Sequence, residues 1–421
     1  MGEVINTVKE VLTNRNILGI SLTSSLFSLV SMGWNPFWSM YMVNNLGASV
    51  TILGVYSAIY TSQNLLFQFP GGVLADRYGR KRIIVAGTFI RVFAPIIFYF
   101  APSWEWVLVG AVIDGLSSIY MPAFSAIIAD SLPRDRRGAG YGAYNMITSL
   151  PSMFEPLIGG IVVERYGYQQ GIRIFLLLQS LVALIMTAVR WRFLKETIDT
   201  KPKGPKSSII PNTNTIRELP KTIKIMMVVA IIGSFSGRLV WDYTNLYALK
   251  ILVLTPTQLG LITTVVSGLS SILALPGGML SDRFGRKNNI MLGRTVSPIS
   301  QGLISIATGY ASYFAIMVFN GSAIALGGSG MDYGGPSWNA LIADIVPPQK
   351  RATVLGSMGT LSAIVGLPSG PLGGWLWQNI SPQTPFQLSM VLGLVSAGIF
   401  WVYIKEPTAE EKQKVLSLEN V

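Results

Sequence analysis

Long apolar segments alternate with short polar segments along the whole chain. A helix needs about 20 apolar residues to cross a bilayer core that is about 30 Å thick. Twelve segments reach that length, and we number them spans one to twelve. They cover residues 17–44, 49–74, 83–101, 105–131, 138–163 and 170–194 in the first half, and residues 222–250, 256–280, 288–309, 311–343, 352–378 and 384–404 in the second half. The pattern predicts an all-α polytopic membrane protein.

The composition supports this class. Of the 421 residues, 50% are hydrophobic and only 12% are charged, whereas about a quarter of the residues of a soluble domain are charged. The chain has no cysteine and no histidine, so disulfides and thiolate metal sites are excluded. We expect no metal and no cofactor other than a proton gradient. A group that carries protons inside the membrane must then be a carboxylate, helped by tyrosine or water.

The net charge of +12 comes from Lys and Arg in short loops. Membrane topology requires such loops, so we expect no nucleic-acid partner. The basic loops lie at residues 77–82, 134–137, 283–287 and 350–351 and in the segment between residues 195 and 221. The positive-inside rule places these loops and both termini in the cytoplasm. We expect an integral protein of the plasma membrane whose partners are the lipid bilayer, protons and a small-molecule substrate.

The two halves of the chain repeat each other. The stretch Gly72–Arg82 recurs 206 residues later as Gly278–Asn288, and Pro122–Asp130 resembles Pro336–Asp344. We therefore predict parallel, pseudo-twofold repeats. They comprise a six-helix bundle at 1–196, a cytoplasmic linker at 197–220, a second six-helix bundle at 221–405 and a cytoplasmic tail at 406–421. Transporter sites lie at the interface of such repeats, near the membrane midplane.

The repeated loop predicts a cytoplasmic latch, meaning charge pairs that close in one state and open in the other. Its glycines allow close packing and a turn, and its arginines can pair with the carboxylates that end spans four and ten. The alternative is a topology anchor that only holds the loop inside. The predicted latch consists of Gly72, Asp76, Arg77, Gly79, Arg80 and Asp130 in the first half and Asp282, Arg283, Arg286 and Asp344 in the second half.

With these motifs, almost the whole chain resembles the major facilitator superfamily of secondary transporters. The Gly-x-x-x-Asp-Arg-x-Gly-Arg-Lys loop is similar to that family's signature between spans two and three. The sequence Pro156-Leu157-Ile158-Gly159-Gly160 resembles the mark of its drug:proton antiporter branch, although Glu155 stands where that mark has glycine. Span four also lacks the arginine of the antiporter pattern. The resemblance implies two six-helix bundles, alternating access and a functional monomer.

Seven ionisable residues stand out inside the predicted spans, where a charge costs several kcal/mol and marks a functional site by default. A carboxylate in an apolar cavity can load and release protons near neutral pH. We predict proton coupling or recognition of substrate charge by Glu155, Asp332, Asp114 and Asp242. The alternative is structural ion pairs, in which Arg91 neutralises Asp114 and Arg238 neutralises Asp242. The seven residues are Arg91, Asp114, Glu155, Arg238, Asp242, Arg294 and Asp332.

Aromatic and amide side chains inside several spans predict a substrate cavity. Aromatic faces with a few polar groups suit large apolar cations, whereas an interfacial belt needs aromatic residues only near span ends. A glycine run at residues 327–330 either breaks span ten before Asp332 or allows close packing. The predicted cavity residues are Trp34, Asn35, Trp38, Tyr60, Asn64, Tyr144, Asn145, Arg238, Trp241, Asn245, Tyr333 and Trp338.

These patterns favour a proton-coupled secondary transporter with alternating access that exports lipophilic, cationic small molecules. The alternative is a proton-coupled uptake symporter for an organic anion or a sugar-like nutrient, with Arg91, Arg238 or Arg294 as the anchor. An enzyme is disfavoured because the chain lacks histidine, cysteine and a sizeable soluble domain. No phosphate-binding loop of a nucleotide-driven pump is present either.

Overall fold

The computed structural model describes residues 14–131, 144, 147–148, 151–197, 219–331 and 334–408. Within these ranges the chain forms helices joined by short turns, without a strand. It divides into two compact units. The first contains residues 1–48, 59–207 and 255–264, and the second contains residues 49–58, 208–254 and 265–421. Each unit thus holds one half of the sequence repeat, except that the beginnings of spans two and eight belong to the opposite unit.

The helices of the first half follow the predicted spans. Span one begins at Arg15, where the Asn14 side chain accepts hydrogen bonds from the first helical N–H groups, which have no partner within the helix. The helical segments are Arg15–Trp34, Asn35–Phe37 and Trp38–Asn45 for span one, Val50–Tyr78 for span two, Arg80–Ile90 and Phe93–Phe100 for span three, Trp104–Ser117, Ser118–Tyr120 and Met121–Ser131 for span four, and Glu155–Phe193 for spans five and six.

The helices of the second half repeat this order. Several begin with proline, whose missing N–H is one that the first turn leaves unpaired in any case. The segments are Lys221–Lys250 for span seven, Pro256–Phe284 for span eight, Arg286–Ile304 for span nine, Tyr310–Gly327 and Pro336–Ile345 for span ten, Pro348–Gly366 and Ser369–Asn379 for span eleven, and Thr384–Tyr403 for span twelve. Among the described residues, eight helices are long and apolar enough to cross a membrane.

The repeated loop is shorter than its sequence suggests. Span two stays helical to Tyr78, and a helix resumes at Arg80, so the turn is the single residue Gly79, with φ of 95°. Gly285 makes the same turn between Phe284 and Arg286, with φ of 87°. Left-handed backbone of this kind favours glycine because it has no Cβ. Most of the predicted loop is therefore the last two turns of a helix.

Two other chain features depend on glycine. Spans five and six join at a kink, where Gly167 has φ of 77° inside the segment Glu155–Phe193. Span ten breaks after Gly327, since Gly328 has φ of 61° and the next helix begins at Pro336. The structure shows both features that the glycine run predicts, because the helix breaks here and a Cβ added at Gly327 would lie 2.7 Å from the Gly293 backbone nitrogen.

Each unit has its own apolar core. In the first unit, spans one, three and four pack around Ile20, Ile84 and Ile127, all fully buried. In the second unit, spans seven, nine, ten and twelve pack around Trp338 and Phe400, whose rings stack with centroids 5.8 Å apart. These cores fix the helix ends at which the repeated loops lie.

Candidate functional site

Each copy of the repeated loop forms a corner where an arginine joins two neighbouring spans. In the first corner, the Arg80 guanidinium pairs with Asp130, and its Nη1 donates to the Ala126 carbonyl at 3.0 Å. In the second corner, Arg286 Nη1 lies 2.8 Å from Asp344 Oδ1 and donates to the carbonyl of Ala340. The two arginines thus bind a carboxylate and a carbonyl one turn before it. Each pair joins helices of its own half, and the latch role stays a prediction.

A glutamate that sequence analysis missed completes each corner. Glu196 accepts from the backbone N–H of Arg80 at 3.1 Å and of Lys81 at 3.0 Å. Glu406 accepts from the N–H of Arg286 at 2.9 Å and of Lys287 at 2.8 Å. These N–H groups begin a helix and have no partner within it, and the helix dipole favours a negative charge there.

The signal for these glutamates is present in the sequence. Lys195-Glu196 follows span six, and Lys405-Glu406 follows span twelve 210 residues later. The predicted bounds make Glu196 the last residue of the first bundle and Glu406 the first residue of the tail, and both lie beyond the apolar segments. We define the first corner as Gly79, Arg80, Asp130 and Glu196, and the second corner as Gly285, Arg286, Asp344 and Glu406.

The close helix contact beside each corner is made by a different glycine from the one predicted. A Cβ added at Gly71 would lie 2.1 Å from the Ile119 carbonyl oxygen, and one at Gly277 would lie 2.3 Å from that of Ala325. At Gly72 the added Cβ would meet only Pro122, at an ordinary distance of 3.8 Å. The packing role predicted for Gly72 is therefore wrong, and Gly71 has it instead.

The other residues of the predicted latch lie at the surface. Asp76, Arg77 and Arg283 are exposed. The Arg77 guanidinium lies 5.4 Å from the centroid of the Tyr78 ring, next to it in sequence. The side chain of Asp282 lies outside the described part of the structure.

Behind the first corner, Arg91 joins a cluster of polar groups. Its Nε lies 3.7 Å from Asp114 Oδ1, and its Nη1 donates to the Tyr120 hydroxyl at 2.8 Å. The guanidinium also lies 4.5 Å from the ring centroid of Phe27, a cation–π geometry. Tyr60 lies within electrostatic range of both Arg91 and Asp114. The structure thus contains the Arg91–Asp114 ion pair that sequence analysis gave as the alternative.

A second buried arginine in this half was not predicted. Arg190 is 1% exposed and donates to hydroxyls of spans one and three. The distances are 2.9 Å to Thr88 Oγ1, 3.2 Å to Ser24 Oγ and 3.3 Å to Thr23 Oγ1. Arg190 lies near the end of predicted span six, at residues 170–194. The helix continues to Phe193, which places Arg190 about a turn inside its end.

In the second half, Arg294 is buried between spans nine and twelve, which correspond to spans three and six. It lies on span nine, whereas Arg190 lies on span six. Its guanidinium lies 4.5 Å from the Trp338 ring and 5.7 Å from the Phe400 ring. In the repeat, Arg294 corresponds to Thr88, and Phe400 corresponds to Arg190. Each half therefore buries one arginine between its third and sixth spans, on the sixth in the first half and on the third in the second half.

This burial corrects one sequence interpretation. Arg294 is 1% exposed, stacked on two rings of its own bundle and hydrogen-bonded to Ser396 at 3.3 Å. It has no free face for a substrate anion, so it is removed from the possible anchors.

The predicted coupling carboxylates differ in their burial and in their partners, and one of them lies outside the described residues. Glu155 is 1% exposed, at the beginning of the described helix of span five. Asp242 is half-buried within the second unit, where it receives a hydrogen bond from the Ser57 side chain and lies in electrostatic range of Arg238. Asp332 lies outside the described residues.

The structure corrects the predicted cavity at three tryptophans. Trp34 and Trp38 are each 6% exposed and pack edge to face, with ring centroids 4.8 Å apart. Trp34 Nε1 also donates to Gln179 Oε1 at 2.8 Å. Trp338 is fully buried in the core of the second unit. These rings fill helix interfaces and do not line an open cavity.

The remaining cavity residues divide by exposure. Asn35, Tyr60 and Trp241 are exposed, and Trp241 is the most open of the three, at 79%. Tyr144, Arg238 and Asn245 are half-buried. The predicted residues Asn145 and Tyr333, and the side chain of Asn64, lie outside what the structure describes.

Comparison with known proteins identifies the family. The model of the Major Facilitator Superfamily matches residues 20–252 and 227–418. A multi-drug resistance efflux pump PmrA homolog of Lactococcus lactis is 26% identical over 395 residues, covering 88% of this chain and 90% of that protein. An uncharacterized MFS-type transporter of Methanocaldococcus jannaschii, MJ1560, is 24% identical over 398 residues, covering 93% of this chain and 98% of that protein.

Solved structures agree on the fold. The nucleoside transporter NupG has a TM-score of 0.72 at 16% identity, covering 92% of this chain and 99% of that chain. The predicted fold class, two bundles of transmembrane helices, is thereby confirmed. The chain belongs to the Major Facilitator Superfamily; it is an integral membrane transporter and not an enzyme.

Proposed function

We propose that this transporter is a proton-coupled antiporter that exports lipophilic, cationic small molecules. We further propose that it works as a monomer in the plasma membrane, with both termini in the cytoplasm. The observation that carries the proposal is the buried carboxylate of Glu155, 1% exposed in span five. A carboxylate held away from water inside the membrane is costly, and exchange of its proton for a bound cation offsets that cost.

The surroundings of Glu155 suit a fixed coupling group. Span five packs so closely on span one that a Cβ at Gly159 would lie 1.6 Å from the Gly33 carbonyl oxygen. The helix that carries Glu155 is therefore held against its neighbour. Tyr60, which belongs to the same unit, is 39% exposed and offers a face on which a flat cation can stack. The similarity to an efflux pump homolog supports the same direction of transport.

The test is transport into proteoliposomes. Purified protein is reconstituted, a pH gradient is imposed, and ethidium movement is followed by fluorescence. We expect Glu155→Gln to slow gradient-driven ethidium transport at least tenfold, because the amide cannot exchange a proton. Glu105→Gln is the matched control, since Glu105 is exposed at the beginning of span four, and it should transport like the unchanged protein. Equal rates for all three proteins would refute the proposal.

The alternative is proton-coupled uptake of an organic anion. It is favoured by Arg91, whose side chain is 22% exposed and donates to the Tyr120 hydroxyl at 2.8 Å. Asp114 Oδ1 lies 3.7 Å from Arg91 Nε, so a substrate anion competes with this carboxylate for the guanidinium. Glucuronate uptake that depends on Arg91 and not on Glu155 would establish this alternative.

A further inference from the structure

A groove lies between spans three and six, on the side of the first unit that carries the basic loops. Its volume is about 760 Å³. Its apolar wall includes Val85 and Phe89 from span three and Leu184 and Ala188 from span six. Phe89 is 46% exposed and Leu184 is 49% exposed. In a membrane protein, such apolar side chains face the acyl chains of lipids.

The groove is basic at one end and apolar at the other. Lys81 and Arg82 form the basic end, at the beginning of span three, and Trp191 lies there too. Phe89 follows Arg82 by seven residues, so the apolar end lies about 10 Å deeper at a rise of about 1.5 Å per residue. Tryptophan is enriched at the level of lipid headgroups. The groove thus has the polarity of one phospholipid, with an anionic head and an apolar tail.

The two cations at the basic end are open to a ligand. Glu196 accepts from the backbone N–H of Lys81, which leaves the ammonium group unused. Within the described ranges, neither the Lys81 ammonium nor the Arg82 guanidinium has an ion-pair or hydrogen-bond partner. Arg82 is exposed.

In the second half, spans nine and twelve correspond to spans three and six. There, the residues that correspond to the basic end of the groove contact other groups of the protein. Lys287 corresponds to Lys81, and Trp401 corresponds to Trp191. Lys287 Nζ donates to the Trp401 carbonyl at 2.7 Å and lies 4.7 Å from the Trp401 ring centroid. Asn288 stands in place of Arg82 and donates to the Phe284 carbonyl at 3.1 Å. The fold therefore does not require an open basic groove, which is a property of the first half.

We propose that this groove binds one anionic phospholipid from the membrane leaflet next to the basic loops. Its phosphate lies between Lys81 and Arg82, and an acyl chain lies along Phe89 and Leu184. A lipid there contacts the beginning of span three, beside the first corner. Each basic residue near a membrane surface adds to the attraction for anionic lipid, and the groove adds a defined place for one chain.

The test measures lipid bound to the delipidated, purified full-length protein by native mass spectrometry. Dioleoyl phosphatidylglycerol is compared with dioleoyl phosphatidylcholine and with inorganic phosphate. We expect a single phosphatidylglycerol adduct, and roughly twentyfold weaker binding of that lipid by the double variant Lys81→Gln/Arg82→Gln. Lys287→Gln is the matched control from the second half, and it should bind phosphatidylglycerol like the unchanged protein.

A second variant separates the groove from surface charge. Ala188→Phe keeps both cations and fills the apolar wall, and it should weaken phosphatidylglycerol binding about tenfold. Unchanged binding by Ala188→Phe or by the double variant would overturn the proposal, as would equal binding of phosphatidylcholine. Phosphate alone competing fully for the site would also overturn it. If the double variant does not fold, Arg82→Gln is measured in its place, with about fivefold weaker binding expected.

Discussion

The first and second corners contain the same four groups, whereas the interiors behind them carry different charges. Gly79 and Gly285 make the same turn, and Glu196 and Glu406 bind the same pair of N–H groups. Behind the corners, however, Arg91 corresponds to Ser297, and Glu155 corresponds to Gly370. The geometry of helix ends is thus maintained in both halves, whereas Arg91 and the buried carboxylate of Glu155 have no ionisable counterpart in the second half.

The largest effect expected within this comparison comes from the close glycine contacts. Gly71→Ala and Gly277→Ala place a methyl group about 2 Å from a carbonyl oxygen, and each should lower the free energy of unfolding by about 3 kcal/mol. Gly72→Ala and Gly278→Ala are matched controls one residue later, where a Cβ has room. They should leave stability unchanged or raise it by up to about 1 kcal/mol. Denaturant unfolding in detergent measures all four, and equal losses at both positions would contradict the packing assignment.

A second, smaller effect concerns the two buried arginines. Arg190→Phe introduces the residue that the second half has at this position and leaves three buried hydroxyls without their donor. It should lower the free energy of unfolding by about 2 kcal/mol. Adding Thr88→Arg transfers the guanidinium to span three, as in the second half, and should restore at least half of that loss. A double variant that is less stable than Arg190→Phe would show that the two sites are not equivalent.

The smallest effect concerns the corner glutamates. Glu196→Ala and Glu406→Ala each remove two hydrogen bonds to the beginning of a helix. Each should lower the free energy of unfolding by about 1 kcal/mol, and the two losses should agree within about 0.5 kcal/mol. A clear difference between the halves would break the equivalence of the corners.

The sequence predicts the fold more completely than the site. The apolar segments and the spacing of Lys and Arg anticipate the spans, because the bilayer imposes both. The corner glutamates escaped prediction because they follow the apolar segments. They also bind backbone N–H groups, which every residue except proline has, so no basic side chain identifies their partners in the sequence. The sequence places Trp34 and Trp338 in a cavity because it does not show which side of a helix contacts a neighbouring helix. That is known only once the helices are packed.

Arg190 shows a further limit of sequence reasoning. A basic residue near a span end is usually a topology signal, and burial among hydroxyls distinguishes it only once the neighbouring helices are in place. The choice between Gly71 and Gly72 is of the same kind. Adjacent residues on a helix point about 100° apart, and only the position of span four determines which one makes the contact.

The central claim is that Glu155 exchanges a proton for a cationic substrate. The most direct measurement is proton release when ethidium binds to the purified protein in weakly buffered detergent solution, followed with a pH indicator. The account predicts about one proton released per ethidium bound by the unchanged protein and by Glu105→Gln, and none by Glu155→Gln. Proton release by Glu155→Gln equal to that of the unchanged protein, at the same ethidium occupancy, would contradict it.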